Sequence, residues 1–473
     1  MTGPRIAGVI DIGKTNAKFA LVDLESLSEV AVRKTPNIVL RDGPYPHFDI
    51  ERLWDFLCEA IADLNREHPI DALSVTTHGA SAALLDADGA LAMPVLDYEF
   101  DGPDELAAEY DASRPDFSES FTPRLPLGLN LGAQLFWQAR AFPEAFAKTR
   151  SIVTYPQYWS FRLSGEIASE ITSLGCHTDL WNFQTDLYSS LVLKQGWIDK
   201  MATVRPANDV LGLVPPALAK RLGCAKPVPV HCGIHDSNAS LLPHLLEQEP
   251  PFSVVSTGTW VIVVAPGADL SGLDPKRDCL ANIDAFGRPV ASARFMGGRE
   301  FSLLVPDEPS SVPEAVVERV LNQPIILTPS VVEGSGPFPD RRAHWSVPRE
   351  TLDKATIYTV TSFYLALMTA QCLALTDASG EIVVEGPFAA NRLYAEMLAI
   401  ATARPVIAMR SSATGTSVGA ALLTFGDNLA AAKKAAASAS EGQMVAPSAG
   451  LTAAMVGYAE RWRSAVRKGG ASA

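Results

Sequence analysis

An α/β chain built as two domains is predicted by three observations: its length, a β-hairpin signature that occurs twice, and an alternating strand and helix rhythm in the last third. The 473 residues correspond, at roughly 150 residues per domain, to two large units or about three small ones. The hairpin signature is a polar Gly/Thr knot between two β-rich stretches. It stands first at Asp11-Ile12-Gly13-Lys14-Thr15-Asn16 and again, about 245 residues on, at Ser256-Thr257-Gly258-Thr259. Such an internal echo suggests two domains of related topology.

The elements follow in order. Ile6 to Ile10 is apolar, and Ala17, Phe19 and Leu21 alternate with Lys18 and Ala20, so the first knot reads as a turn between two strands. Leu53, Trp54, Leu57, Ile61 and Leu64 recur at helical spacing behind Asp49, a suitable cap. A strand from Ala72 to Thr77 runs into His78-Gly79, and Ala82 to Leu85 with the turn Asp86-Ala87-Asp88-Gly89 reads as a further hairpin. From Pro94 through Trp181 to Pro216 the chain loses periodicity and gains Pro, Gly and aromatic residues, which predicts loops that elaborate a pocket. A strand into His231-Cys232-Gly233-Ile234-His235-Asp236 and a helix over Ser237 to Leu245 precede the second knot. A helix from Ile357 to Leu375, a strand Glu381 to Glu385, a helix after Asn391, a strand Pro405 to Met409 and a helix Ser417 to Leu423 then read as a parallel βαβ unit. The Ala/Lys-rich stretch Ala430 to Ala439 and a last helix carrying Arg461, Arg463 and Arg467 read as packing and a frayed end.

Composition narrows the function. Lys plus Arg number 39 against 53 Asp plus Glu, a net charge of −14, so the surface field repels nucleic acid and anionic membranes and any phosphate must be held locally. Hydrophobic residues at 47% and charged residues at 19% describe a globular chain with material for two cores. Apolar runs such as Trp260 to Pro266 fall far short of the ~20 residues that cross a bilayer, and Met1 to Gly8 has no signal-peptide stretch. A cytoplasmic protein is expected. The six cysteines form no CxxC pair, which fits buried reduced thiols better than disulfides or zinc.

Gly8-Val9-Ile10-Asp11-Ile12-Gly13-Lys14-Thr15 matches the phosphate-loop pattern GxxxxGK[ST]. A P-loop, however, needs a strand before its first Gly and a helix after its Lys-Thr. Here the intervening positions are themselves strand-like, and the alternation continues beyond Thr15. A tight hairpin of Gly and small polar residues is the favoured reading, with N–H and O–H donors on its concave side and with Lys14 and Lys18 supplying charge. Asp11 beside it is suited to hold magnesium through water.

In their order along the chain these motifs resemble the FGGY carbohydrate kinases of the actin-like (ribonuclease-H-like) ATPase superfamily. Asp11-Ile12-Gly13-Lys14-Thr15-Asn16-Ala17-Lys18 is similar to the family's first phosphate motif, Ser256-Thr257-Gly258-Thr259-Trp260 to its second, and Glu385-Gly386-Pro387-Phe388-Ala389-Ala390-Asn391 to its adenosine motif. Met296-Gly297-Gly298-Arg299-Glu300 falls where the family approaches the nucleotide. Val75 to Gly79 with Leu84 to Gly89, and His235 to Ser240, are most similar to the rhamnulokinase and fuculokinase branch. Lys14 departs from the small residue of many members, His78 from the usual aromatic or Gln, and Pro94 to Phe100 lacks the Arg common near its end.

The resemblance implies two actin-like domains, 1–245 and 246–455, with a closing helix and tail at 456–473 and with nucleotide and sugar in the cleft between the domains. It implies an ATP- and Mg2+-dependent sugar kinase acting on a ketose or related polyol, a small-molecule partner, and a possible homodimer. From the residues alone Asp236 is either a general base or a helix cap, and His235 either a ligand or a packing residue; the resemblance implies the base at Asp236 and acceptor contacts at His78, Gly79, Asp97 and His235. Thr172, Cys176 and His177 are candidates for shaping the same pocket. Nucleotide or phosphate contacts are implied at Asp11, Gly13, Lys14, Thr15, Asn16, Lys18, Thr257, Gly258, Thr259, Gly298, Gly386, Pro387 and Asn391. The alternatives are an actin-like ATPase module without a sugar pocket and the P-loop NTPase.

Overall fold

The computed structural model describes residues 4–409, 415–439, 442–448 and 450–469. Packing divides the chain into two units, one formed by residues 1–249, 281–289 and 413–439 and the other by 250–280, 290–412 and 440–473. The segment 415–439, expected in the C-terminal domain, thus packs with the first unit. Gly415–Leu422 lies on the helix Asp236–Glu247 so closely that a Cβ on Gly419 would stand 1.7 Å from the Ala239 carbonyl oxygen. Only a residue without a side chain permits that approach.

In the first unit Ile6–Ile12, Asn16–Asp23 and Ser28–Pro36 form an antiparallel meander, and Ala72–Thr77 joins Ile6–Ile12 in parallel. Pro229–His231 and Ile234–His235 pair parallel to Ala72–Thr77. The helix Ile50–Glu67 starts where Asp49 accepts from the Arg52 N–H, and it buries Leu53, Trp54, Leu57, Ile61 and Leu64. Each such side chain contributes roughly 1.5–3 kcal/mol by leaving water.

Ala82–Leu85 opens the expected hairpin, closed by the Leu85 to Leu91 bridge with the Asp86 N–H donating to the Ala90 carbonyl and the Ala92 N–H to the Leu84 carbonyl, and it also pairs with the distant Ser151–Thr154. One expectation is corrected here. The middle of the chain is helical, with Leu131–Ala141 and Tyr155–Ser164 among its elements. Its periodicity is hidden because Leu131 through Gln138 are all buried, so no polar stripe marks a solvent face. The buried Gln138 side chain donates to the Tyr45 hydroxyl at 2.8 Å.

The second unit repeats the pattern. Phe252–Thr257, Val261–Pro266 and Pro289–Phe295 form the antiparallel meander, Glu381–Glu385 runs parallel to Phe252–Thr257, and Val406–Met409 runs parallel to that. The helix Lys354–Leu375 begins at Lys354 rather than the expected Ile357 and passes for a membrane span by length and composition, but most of it is buried in this unit's core. The C-terminal helix Thr452–Gly469 begins earlier than expected and is part of the same core, with Trp462 Nε1–H donating to the Leu327 carbonyl; residues 470–473 of the expected tail lie outside the described residues. All six cysteines are free, five of them buried.

Candidate active site

In the first unit three parallel strands end side by side, since Ile12 and His235 both pair with Thr77. Ligand groups gather at the C-terminal edge of such strands, and this edge carries the Gly13 turn, His78-Gly79 and Asp236.

Asp236 opens the helix Asp236–Glu247, and its Oδ1 accepts from the Ser237 N–H at 2.6 Å. The side chain keeps 32% of its surface. Enclosure nevertheless raises its pKa above the usual carboxylate value, against the lowering pull of His78 and the Ser237 N–H. A helix N-terminus by itself would favour the ionised form and make a weak base; desolvation wins instead.

His235 Nε2 lies 3.2 Å from Asp236 Oδ1, and the His235 N–H donates to Thr172 Oγ1 at 3.1 Å. Thr172 is held by the buried Glu170, which accepts from its N–H and hydroxyl. Gly79 is pressed against this histidine: a Cβ there would stand 2.9 Å from His235 Nε2 and 3.8 Å from His177 Cε1. His78 packs among Phe48, Tyr98 and Tyr155, with Nδ1 bonded to the Gly79 carbonyl. Burial lowers both His78 and His235 to about 4, so both rings are neutral at neutral pH. His78 Nε2 and His235 Nδ1 are buried without a hydrogen-bond partner, two polar atoms that a hydroxylated ligand can satisfy.

The first turn is closed by the Gly13 N–H donating to the Asn16 carbonyl at 2.9 Å, and Asn37 braces it through the Gly13 and Thr15 carbonyls. Thr15 and Asn16 are exposed at its tip. The turn leads into an antiparallel strand and Gly8 sits inside Ile6–Ile12, so the strand, loop and helix of a P-loop are not formed. Asp11 Oδ2 accepts from the Thr416 hydroxyl at 2.8 Å and lies 3.4 Å from Lys18 Nζ, which also pairs with Glu29. Burial raises Asp11, chiefly against Lys18. Lys14 is drawn aside into an ion pair with Asp97, with Glu99 at 3.3 Å. Thr416 carries no local sequence signal, because its partner is 405 residues away.

In the second unit a cavity of about 590 Å3 is lined by Thr257, Gly258, Thr259, Gly298, Pro387 and Asn391, together with Arg299, Phe301, Tyr358 and Phe388. Gly298, in the first turn of Gly297–Leu304, lies against the hairpin turn: a Cβ would be 1.9 Å from the Gly258 carbonyl oxygen. Gly386 has φ +78° and equally close contact with the Thr257 carbonyl. The Thr257 hydroxyl donates to the Glu385 carbonyl and accepts from the Phe388 N–H, and the Asn391 side chain caps the next helix through the Tyr394 N–H. These two side chains therefore shape the cavity. Phe301 meets Tyr358 and Phe388 with ring centroids 6.0 and 5.6 Å apart, forming an aromatic wall. Phe301 and Tyr358 escaped the sequence reading because neither belongs to a knot or turn.

Glu300, next in the chain to Arg299 and Phe301 of this lining, is buried with Oε1 accepting from the Val332 N–H. Burial raises its pKa to about 7. A carboxyl that holds its proton more tightly when folded adds stability that is complete below about pH 4.5 and is lost as pH rises through about 7. Glu300→Gln is expected to gain on the wild type as pH rises, by up to about 3 kcal/mol at pH 8, in melting temperatures compared at pH 5 and pH 8; a difference independent of pH would contradict it.

The family model "FGGY family of carbohydrate kinases, N-terminal domain" matches residues 6–243, and "Carbohydrate kinase FGGY, C-terminal domain" matches 249–435. The chain belongs to the FGGY family of carbohydrate kinases. A solved carbohydrate kinase from Novosphingobium aromaticivorans superimposes with a TM-score of 0.87 at 31% identity, covering 99% of each chain. The fold is thus the two-domain actin-like architecture that the motifs implied. L-fuculokinase of Escherichia coli (strain K12) is 24% identical over 273 residues, 55% of this chain and 57% of that one. A probable L-xylulose kinase of Pasteurella multocida (strain Pm70) is 26% identical over 268 residues, 54% of each. The FGGY chain therefore spans little more than half the length of the curated relatives it matches. Within the family frame, the first unit holds every acceptor and base residue that the motifs nominated, and the second holds the second phosphate and adenosine motifs.

Proposed function

We propose that this FGGY chain is a cytoplasmic ATP-dependent sugar kinase that phosphorylates a ketose or related polyol with Asp236 as general base. The observation that carries the reading is the first unit's edge, where a half-buried carboxylate with a raised pKa adjoins two neutral histidines bearing unpartnered ring nitrogens. His78 Nε2 and His235 Nδ1 accept from acceptor hydroxyls and orient them. Asp236 takes the proton of the reacting hydroxyl as its oxygen bonds to the γ-phosphorus and the bond from that phosphorus to the bridging oxygen of ADP breaks. Its raised pKa favours that transfer at neutral pH.

The second unit supports the nucleotide half of the reading. The Gly258 N–H closes the turn on the Trp260 carbonyl, so the Thr259 N–H and the N-terminus of Gly297–Leu304 are the donors that suit phosphates, and the aromatic wall suits a purine. Thr15 and Asn16 at the exposed first turn are the first unit's phosphate donors. Asp11, at the end of the strand that leads into this turn, fits a magnesium ion carried by the triphosphate and held through water. Bound there, the ion supplies charge neutralisation on the phosphoryl oxygens.

The relatives' names, L-fuculokinase and L-xylulose kinase, nominate deoxyhexuloses and pentuloses as first candidates. ADP release measured over pentuloses, hexuloses and polyols with MgATP tests the reading. At least one sugar is expected to raise turnover well above the rate without sugar. Equal turnover with and without every sugar would instead favour an ATPase module.

A further inference from the structure

Lys14 stands in a turn built for phosphate, yet its ammonium points along a different path. It pairs with Asp97, 83 residues away, and has Glu99 at 3.3 Å. It lies over the rings of Tyr98 and Phe48 at 4.9 and 5.2 Å, a cation–π arrangement that fixes an otherwise flexible side chain. The same two rings pack on His78, at 5.2 and 5.3 Å. Lys14 and the unpartnered His78 nitrogen therefore share walls.

We infer that Lys14 serves the acceptor pocket rather than the triphosphate: with Asp97 it forms a donor and acceptor pair that reads neighbouring hydroxyls of the sugar beside His78. Charge supports this assignment. One ammonium faced by two carboxylates leaves a local excess of negative charge, which repels a polyphosphate and suits a neutral polyol. Donor arithmetic agrees. An ammonium has three N–H groups, and Asp97 and Glu99 engage two of them. Asp97 Oδ1 takes both Lys14 and the Glu99 N–H, which leaves Oδ2 for a hydroxyl. The lysine also supplies a cation where the Pro94–Phe100 segment has no arginine.

The inference rests on the kinase reading above, and Lys14→Met separates the two, because it keeps the stem over the rings and removes the charge. With the best acceptor of the wild type, KM for the sugar is expected to rise about tenfold or more, while KM for ATP stays within about twofold. Asp97→Asn is expected to move the same constant, and the ranking of sugars that differ at one hydroxyl is expected to change in both variants. A rise in KM for ATP with the sugar constant unmoved, or no change in either, overturns the inference while leaving the kinase intact. If Lys14→Met does not fold, Lys14→Arg keeps the charge but alters its reach, and an unchanged sugar KM and ranking there count against it equally. A wild type that no sugar activates removes the kinase reading and this inference together.

Discussion

Asp236→Asn is expected to lower sugar-dependent ADP release by about 10³-fold, within the 10²–10⁴ range of general-base catalysis, while KM for both substrates and the melting temperature hold. The amide keeps an oxygen to accept from the Ser237 N–H, so the start of the helix survives. It cannot take a proton. The substitution also removes a carboxylate whose pKa is raised in the fold, so at neutral pH stability is maintained or increased. A purely structural role predicts the opposite pattern, in which activity stays within about tenfold and stability falls by about 1 kcal/mol, as when a helix-end interaction is lost. Steady-state rates and a thermal melt on one preparation distinguish these results.

Gly298→Ala is expected to weaken nucleotide binding by roughly 10- to 100-fold, taking about 1–3 kcal/mol for forced overpacking at tenfold per 1.4 kcal/mol. The added methyl would stand 1.9 Å from the Gly258 carbonyl oxygen and 3.2 Å from the Thr259 Cα. Both are backbone, so the helix start and the hairpin turn must separate. Their separation disperses the donors that the cavity offers to phosphates. Gly272→Ala, in the same unit with nothing within 4 Å of the new methyl, is the matched control and should leave KM for ATP unchanged. The two variants giving equal constants would mean that contact between the turn and the helix does not shape the nucleotide site.

Most of the strand ends that position the site were legible. Asp236 and His78 each follow a strand whose pattern ends in a polar residue or glycine, and both hairpins announce themselves by alternation around a turn. The second unit's knot and adenosine motif were equally visible, although the Thr257 hydroxyl and the Asn391 side chain proved to bind the protein itself. The direction of the Asp236 pKa was not legible. A helix N-terminus can be read from adjacent residues, whereas desolvation depends on how much distant chain surrounds the carboxyl.

By itself the sequence determined the two hairpins, the Asp49 cap, the strands Ala72–Thr77 and Glu381–Glu385 and the family, because each depends on residues within a turn or a strand of one another, or on motifs in order; the third strand of each meander was added by pairing. Tertiary structure alone decided that Lys14 turns to Asp97, that Asp11 meets Thr416, that Ala82–Leu85 pairs with Ser151–Thr154, and that 415–439 joins the first unit. These contacts join residues tens to hundreds of positions apart, and the burial and ladder pairing that select them leave no periodic trace at either end. An ammonium, unlike a strand, has no local pattern that says which carboxylate will hold it.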